Sequence, residues 1–205
     1  MNDLHDLVSK IDATARAAAL GGALRAEAER THAVDVSVSS MDSPVGELFL
    51  AVTARGLLHV GFAEEDREET MRAIAGRISP RILLAVRATD EARRELDEYF
   101  AGRRTTFELP LDRRLMTPFA REVLAATSKV PFGSVTTYGE VATRIHRPGA
   151  ARAVGSALGS NPIPIVVPCH RVVGADGSLT GYGGGLHRKT FLLQLETQPT
   201  LGMFE

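Results

Sequence analysis

Polar and apolar residues alternate along several short segments that begin at Val34. Segment 34–40, VDVSVSS, alternates as a half-buried β-strand does. Segments 47–53 and 57–62 follow as strands on either side of the turn Ala54-Arg55-Gly56, so we expect a small antiparallel meander. The elements predicted after the meander are a helix over 64–78, a short buried strand over 82–86, a helix over 89–102 and an extended segment over 106–112.

The chain after residue 112 is predicted to be mostly helical. One helix begins at Thr117-Pro118, because threonine is a good helix cap and proline suits the first turn. Two short helices over 137–146 and 150–160 are separated by the breaker Arg147-Pro148-Gly149, and a closing helix covers 187–196. The two short helices are typical of a helix-turn-helix, although the small residues of the second one also suit tight helix packing.

These elements predict an α+β fold in three parts. Residues 1–30 form a helical N-terminal extension, residues 31–112 form an α/β domain, and residues 113–205 form a mainly helical domain. Strands and helices occur without a repeated strand–helix–strand rhythm, which favours the α+β class.

Composition excludes several classes of protein. The chain has 205 residues, of which 44% are hydrophobic and 24% charged, as in ordinary globular domains. No apolar run approaches the roughly 20 residues of a membrane helix, and the first residues lack the features of a secretory signal, so no membrane partner is expected. Cys169 is the only cysteine, which excludes disulfide frameworks and cysteine-based zinc sites. A free thiol fits the reducing cytoplasm, where we expect the protein to act.

Charge is distributed unequally between the two halves. Residues 1–100 hold 12 basic and 18 acidic side chains, a net charge of −6, whereas residues 101–205 hold 12 and 7, a net charge of +5. An anionic partner is expected at the basic half, although chance can produce the same asymmetry.

The cysteine lies in a segment that is a candidate for catalytic chemistry, NPIPIVVPCHRVVG. Its three prolines exclude a helix and predict an extended path. A thiol becomes a good nucleophile only with a base or a positive charge nearby, and His170 and Arg171 follow Cys169 directly. A turn at Cys169 is needed to bring the thiol and the imidazole together. The alternative is that Cys169 is a small buried hydrophobe with an incidental histidine beside it.

Two later features add to this site. The loop Gly181-Tyr182-Gly183-Gly184-Gly185 offers backbone amides and a phenol, although most glycine loops are only turns. Glu196 ends the closing helix, where its carboxylate either orients a histidine or is solvated.

The motifs resemble those of the O6-alkylguanine-DNA alkyltransferases. The segments that carry the resemblance are PCHRVVG after NPIPIVV, SVTTYGEVA, AARAVGSALGSNP, GYGGG and FLLQLE, together with DSPVGELFLAV, GLLHVGF, YFAGRRTTFELPLD and TPFAREV in the first half. The resemblance covers residues 34–196. It implies a ribonuclease-H-like α/β domain and a winged-helix-like DNA-binding domain, and no cofactor is expected. A monomer is the default expectation, since no interface signature is visible in the sequence. The partner is double-stranded DNA containing O6-alkylguanine, with O4 of thymine as a second candidate position.

The resemblance also assigns the chemistry. The damaged base is flipped out of the duplex, and the alkyl group is transferred once and irreversibly to Cys169. His170 acts through water as the base for the thiol, Glu196 orients His170, and Asn161 braces the site. Tyr138 contacts a phosphate and donates a proton toward the guanine. The residues that form the guanine pocket are Leu158, Pro164, Val172, Tyr182, Gly183 and Gly184.

The same resemblance assigns the DNA-binding surface. Arg152 fills the gap that the flipped base leaves in the stack. The remaining DNA-binding residues are Thr137, Ala150, Ala151, Ala153, Gly155 and Ser156. The small residues lie in the minor groove, which explains why the second short helix carries no asparagine or glutamine to read bases.

The sequence departs from the family pattern at a few positions. Ala120 and Leu124 stand where the family often has glutamine and tryptophan, and Gly183 and Thr137 replace serines. The glycine removes one side-chain hydrogen bond to O6, which bears on the range of alkyl groups accepted. Two other functions remain open from the residues alone: a damage sensor without transfer chemistry, although such relatives lack the cysteine, and a cysteine hydrolase, which would need an oxyanion hole.

Overall fold

The computed structural model describes residues 34–197, so the expected helical extension over 1–30 lies outside the described residues. The predicted meander is present as β1 (Val36–Met41), β2 (Leu48–Thr53) and β3 (Gly56–Phe62), paired antiparallel in sequence order. A short fourth strand, β4 (Ile82–Leu84), joins the sheet parallel to β1, which gives the strand order β3-β2-β1-β4.

Alternation along the strands separates two apolar faces. One face carries Val36, Val38 and Phe49, which pack with Ile74 from helix α1 (Arg67–Arg77). The opposite face contributes to a larger core that continues into the second half of the chain. The residues of the sheet that belong to this larger core are Met41, Leu48, Leu50, Leu57, Val60 and Phe62. The sheet therefore supports the region where the predicted site residues lie.

The remaining elements of the first half are helical. A 3-10 turn (Val86–Thr89) leads into α2 (Asp90–Phe100), whose buried side includes Leu96 and Tyr99. Residues 82–86 were predicted to form a buried strand. The burial is wrong, because Leu84 is 53% exposed. The reason is that β4 is an edge strand with only β1 as a neighbour, so one margin of it faces solvent.

Four helices form most of the second half, as expected. They are α3 (Pro118–Thr127), α4 (Tyr138–Arg144), α5 (Ala151–Gly159) and α6 (Leu186–Thr197). Thr117 caps α3, where its hydroxyl accepts from the backbone N–H of Ala120 at 3.2 Å. Two short strands, β5 (Thr136–Thr137) and β6 (Val172–Val173), pair in parallel beside the helices. The mixed α+β class is confirmed, with a sheet domain first and a helical domain after it.

Side chains from α6 hold the two halves together. Arg188 donates to the carbonyl oxygens of Val45 (2.6 Å) and Gly184 (2.8 Å) and to the carboxylate of Glu64 (2.6 and 2.7 Å). Its guanidinium also lies 4.8 Å from the centre of the Phe62 ring.

Within residues 34–197, none of the helices has the length and apolar character required to cross a bilayer.

Candidate active site

The segment before Cys169 turns more tightly than its prolines predict. The N–H of Val166 donates to the carbonyl of Pro164 at 2.9 Å, and Ile165 takes a left-handed φ of 72°, which is rare for a β-branched residue. The expectation of a simple extended path is therefore wrong, because this buried backbone forms hydrogen bonds with itself. A 3-10 turn (Cys169–Arg171) follows directly, and it supplies the turn that the Cys-His pair requires.

Asn161 holds the thiol from one side. Its Nδ2 lies 3.2 Å from Sγ of Cys169 and 3.0 Å from the carbonyl oxygen of Val167. Its Oδ1 accepts from the N–H of Ile163 at 3.0 Å, which fixes the orientation of the amide. Burial raises the pKa of Cys169 to about 11, although the hydrogen bond from Asn161 opposes this effect. The resting thiol is therefore protonated at neutral pH and needs further help to ionise.

His170 is fully buried and faces a carboxylate. Its Nε2 lies 2.8 Å from Oε1 of Glu196. A carboxylate can only accept, so we assign the ring proton to Nε2, which leaves the lone pair on Nδ1. Burial lowers the pKa of His170 and keeps the ring neutral despite Glu196. Nδ1 is buried and makes no hydrogen bond within the described part of the chain, so this nitrogen is the one free to accept a proton.

Glu196 is the centre of the polar network. Arg171 donates to both of its oxygens, from Nε at 2.8 Å and from Nη2 at 2.9 Å, and the N–H of Gly133 adds a contact at 3.2 Å. Burial alone would raise the pKa of Glu196, but the hydrogen bonds from His170 and Arg171 lower it to about 2. The carboxylate is therefore ionised at all physiological pH values, and the solvated alternative for Glu196 is wrong, since the residue is 4% exposed.

Two buried residues in this interior make polar contacts that the sequence does not predict. Tyr99, on α2, donates its hydroxyl to Oε1 of Glu196 at 2.7 Å, so the first half of the chain reaches the site. The only signal for it is that a buried tyrosine hydroxyl needs a partner. Lys189, on α6, is fully buried, and its Nζ donates to the carbonyl oxygens of Val172 (2.7 Å) and Thr180 (2.8 Å). No sequence pattern distinguishes it from an exposed lysine.

The predicted pocket residues surround the same interior. Leu158, Val172 and the partly buried Tyr182 belong to the core that includes Cys169, and Pro164 is buried in the turn before it. The ring of Tyr182 meets Phe62 edge-on at 6.0 Å, and its buried hydroxyl has no hydrogen-bond partner among residues 34–197.

The two predicted glycines of the loop differ in their surroundings. A Cβ on Gly184 would lie 2.5 Å from the Phe62 ring, whereas a Cβ on Gly183 would lie 3.3 Å from the carbonyl oxygen of Gly159. Gly184 therefore permits a close approach of the loop to the sheet, and Gly183 borders the end of α5.

The predicted DNA-binding residues lie on α5 and at the start of α4. Arg152, Ala153 and Ser156 are exposed, and Ala150, Ala151 and Gly155 are half-buried. The Tyr138 ring lies against Gly155, where an added Cβ would be 3.7 Å away. This distance is an ordinary contact that would accommodate a methyl group, so packing between helices does not require the glycine at position 155, nor does it explain Ala153, which faces solvent.

The start of α4 is tied down by its own side chains. The Thr137 hydroxyl caps the helix by accepting from the N–H of Glu140 at 3.2 Å, and the Glu140 carboxylate accepts from the N–H of Thr137 at 2.9 Å. The Tyr138 hydroxyl donates to the carbonyl of Thr180 at 3.0 Å. In this structure Tyr138 is therefore bonded to the same carbonyl as Lys189.

Two family models match the chain in succession. Residues 36–113 match the ribonuclease-like domain of 6-O-methylguanine DNA methyltransferase, and residues 118–198 match the DNA-binding domain of the same family. Curated relatives include a methylated-DNA–protein-cysteine methyltransferase of Mycobacterium tuberculosis, 45% identical over 77% of this chain and 90% of the relative. A constitutive enzyme of that description from Bacillus subtilis is 37% identical over 77% and 93%.

Solved structures show the same similarity. The chain resembles Mycobacterium tuberculosis OGT in complex with DNA, with a TM-score of 0.68, 42% identity, and coverage of 80% of this chain and 93% of that one. It also resembles an O6-methylguanine-DNA methyltransferase from the archaeon Pyrococcus kodakaraensis, with a TM-score of 0.60, 28% identity, and coverage of 80% and 99%.

Proposed function

The chain belongs to the 6-O-methylguanine DNA methyltransferase family, and we propose that Cys169 accepts the alkyl group that this protein removes from O6 of guanine in DNA. The activity is that of a methylated-DNA–protein-cysteine methyltransferase, and the partner is DNA. The observation that carries the assignment of Cys169 is the turn it shares with His170, whose Nε2 is held 2.8 Å from Glu196. This arrangement leaves a neutral imidazole with a free lone pair next in sequence to the only thiol.

The transfer begins with ionisation of Cys169. His170 takes the thiol proton through a water molecule at Nδ1, and Glu196 stabilises the imidazolium that forms. Asn161 donates to the sulfur and stabilises the thiolate relative to the thiol. These interactions offset the burial that raises the pKa of the thiol.

The thiolate then attacks the alkyl carbon in a direct displacement. The new C–S bond forms as the C–O6 bond breaks, and the electron pair of that bond remains on the guanine. Tyr138 donates a proton toward the guanine, for which its hydroxyl must leave the carbonyl of Thr180. The product is a neutral thioether with no ionisable proton, so each molecule reacts once.

DNA binding and base flipping involve the exposed face of α5. We assign Arg152 to the gap left in the base stack, which its exposure supports, and the residues with small side chains to the minor groove. Thr137 and Tyr138 lie at the start of α4, beside the phosphates. The flipped guanine occupies the pocket formed by Leu158, Pro164, Val172, Tyr182, Gly183 and Gly184.

The organisation of the protein follows from the same assignment. We place the domains at 31–112 and 113–205, next to the ranges that the two family models match. A monomer in the cytoplasm fits a protein with one free, buried thiol that must stay reduced to act. O4 of thymine is a second candidate position for the transfer.

Intact mass after mixing with a duplex that carries one O6-methylguanine tests this function. We expect one added methyl group per protein, located on the peptide that contains Cys169, and no further reaction after one equivalent. Cys169→Ala should abolish transfer and retain binding to the duplex. Continued turnover would indicate a hydrolase instead, and binding without added mass would indicate a damage sensor.

A further inference from the structure

Lys189 carries a buried positive charge that no carboxylate balances within residues 34–197. The side chain is 0% exposed, and Nζ contacts the carbonyl oxygens of Val172 and Thr180 at 2.7 and 2.8 Å. Carbonyl oxygens satisfy the N–H groups but bring no net charge. Burial accordingly lowers the pKa of Lys189. A buried ammonium without a counter-ion is unfavourable, so its presence in this interior needs a reason.

The charges of the other ionisable side chains in the site sum to zero when Cys169 is a thiol, so the charge of Lys189 is left unbalanced. Glu196 and Arg171 cancel each other through two hydrogen bonds, and His170 is neutral because burial lowers its pKa. Tyr99 and Tyr182 stay protonated because burial raises the pKa of each hydroxyl. The interior therefore has a net charge of +1, from Lys189, when Cys169 is a thiol. It is neutral only when Cys169 is a thiolate and the thiol proton has left the site, so that His170 is again neutral.

We propose that Lys189 is a positioning residue that supplies the counter-charge for the Cys169 thiolate. The proposal rests on the proposed function of Cys169 as alkyl acceptor. Helix α6 carries Lys189 into the interior, and Val172, whose carbonyl it contacts, lies on the strand that follows the Cys169 turn. The electrostatic interaction acts in both directions: it lowers the pKa of Cys169 and raises that of Lys189. Lys189 keeps its protons throughout, and the thiol proton leaves through His170.

A purely structural role for Lys189 makes a different prediction. Thr180 accepts from both Lys189 and Tyr138, so the ammonium also holds the segment that leads into the glycine loop. If holding this segment were its only function, removing the charge would loosen the loop without changing the titration of the thiol. The pH dependence of thiol reactivity therefore separates the two roles.

The experiment measures alkylation of Cys169 by iodoacetamide as a function of pH. Cys169 is the only cysteine, so intact mass reports this residue alone, and the reagent requires neither DNA nor a flipped base. The variants are Lys189→Met, which keeps the length but removes the charge, and Lys189→Arg, which keeps the charge. Lys129→Met is the matched control, because Lys129 is exposed.

We expect Lys189→Met to raise the midpoint of thiol reactivity by about one to three pH units and to slow alkylation below that midpoint by about 10-fold per unit. Lys189→Arg should show a smaller shift, and Lys129→Met none. An unchanged midpoint in a folded Lys189→Met protein overturns the proposal. If the thiol responds as expected but DNA does not transfer a methyl group to it, the proposed function fails and only the electrostatic coupling between Lys189 and Cys169 stands.

A second measurement uses the unmutated protein in case Lys189→Met does not fold. The chain has three lysines, whose side-chain carbons can be followed by NMR during a pH titration. Because the coupling between two sites is reciprocal, blocking Cys169 with iodoacetamide should lower the pKa of Lys189. If the pKa of Lys189 is the same before and after Cys169 is blocked, the proposal is overturned.

Discussion

The chain contains three tyrosines, and their hydroxyl groups have three different environments. Tyr99 donates to the buried carboxylate of Glu196 at 2.7 Å. Tyr138 donates to the neutral carbonyl of Thr180 at 3.0 Å at an exposed position. The hydroxyl of Tyr182 is buried without a partner in the described residues. Replacing each with phenylalanine removes one oxygen and retains the ring, so the series isolates the contribution of each hydroxyl.

The free energies follow from these contacts. A hydrogen bond to a charged group contributes about 1.5–3 kcal/mol, so Tyr99→Phe should lower the free energy of unfolding by that amount. The ring contacts of Tyr99 with Phe100, Phe107 and Phe132 remain in the variant. Tyr138→Phe loses an exposed bond to a neutral acceptor, which contributes about 1 kcal/mol or less. Tyr182→Phe should leave stability unchanged or raise it, since a buried hydroxyl without a partner is unfavourable.

Urea unfolding followed by far-ultraviolet circular dichroism suits this series, because the chain has no tryptophan to report by fluorescence. Repair by Tyr99→Phe should slow by less than about 10-fold, since Arg171 and Gly133 still hold Glu196. Equal stabilities for Tyr99→Phe and Tyr182→Phe would refute the reasoning, because the hydrogen bond to Glu196 would then contribute nothing.

Three further outcomes are expected. The pKa of Glu196 falls from an ordinary 4.5 to about 2 in the folded protein, so its contribution of roughly 3 kcal/mol is present above pH 5 and lost as pH falls toward 2. Glu196→Gln should remove that part of the acid sensitivity, as urea titrations at each pH would show; an unchanged acid profile contradicts this. Arg152→Ala should slow repair of duplex DNA more than repair of single strands or free base, and equal losses in rate assays would exclude its role in the stack. Gly184→Ala should destabilise the protein by about 1–3 kcal/mol, because the new methyl group meets the Phe62 ring. Gly149→Ala serves as the control, because the space around Gly149 is open and its φ, like that of Gly184, is not left-handed. Equal melting temperatures for wild type and Gly184→Ala would show that the loop adapts.

Local patterns in the sequence were sufficient for the meander and for the helices of the second half. Alternation predicts β1 to β3, and the Thr117 cap with Pro118 places the start of α3, because each signal depends on residues close together in the chain. The same local reasoning is wrong about 82–86, since an apolar run does not reveal that its strand lies at a sheet edge. It is also wrong about the path through Pro164, where tertiary burial imposes a tight turn.

A residue of the candidate site could be predicted from the sequence only where it belongs to a motif of the family. Resemblance to the family identifies Cys169, His170 and Glu196. In the structure, Nε2 of His170 lies 2.8 Å from Oε1 of Glu196. The contribution of Tyr99 has no such signal, because on a helical pattern it is one more apolar position facing the core. Lys189 lacks one as well, since only the fold shows that its ammonium is enclosed.

The contact between Tyr99 and Glu196 joins residues 97 positions apart in the sequence. The ribosome synthesises the chain from its N-terminus. A nascent chain that already contains Cys169 therefore still lacks Glu196, whose carboxylate orients His170. Long-range contacts of this kind form late in folding, because the intervening chain must be ordered first. The His170–Glu196 pair that activates Cys169 for transfer is therefore incomplete until α6 has emerged and docked, so the nascent chain does not carry out the transfer.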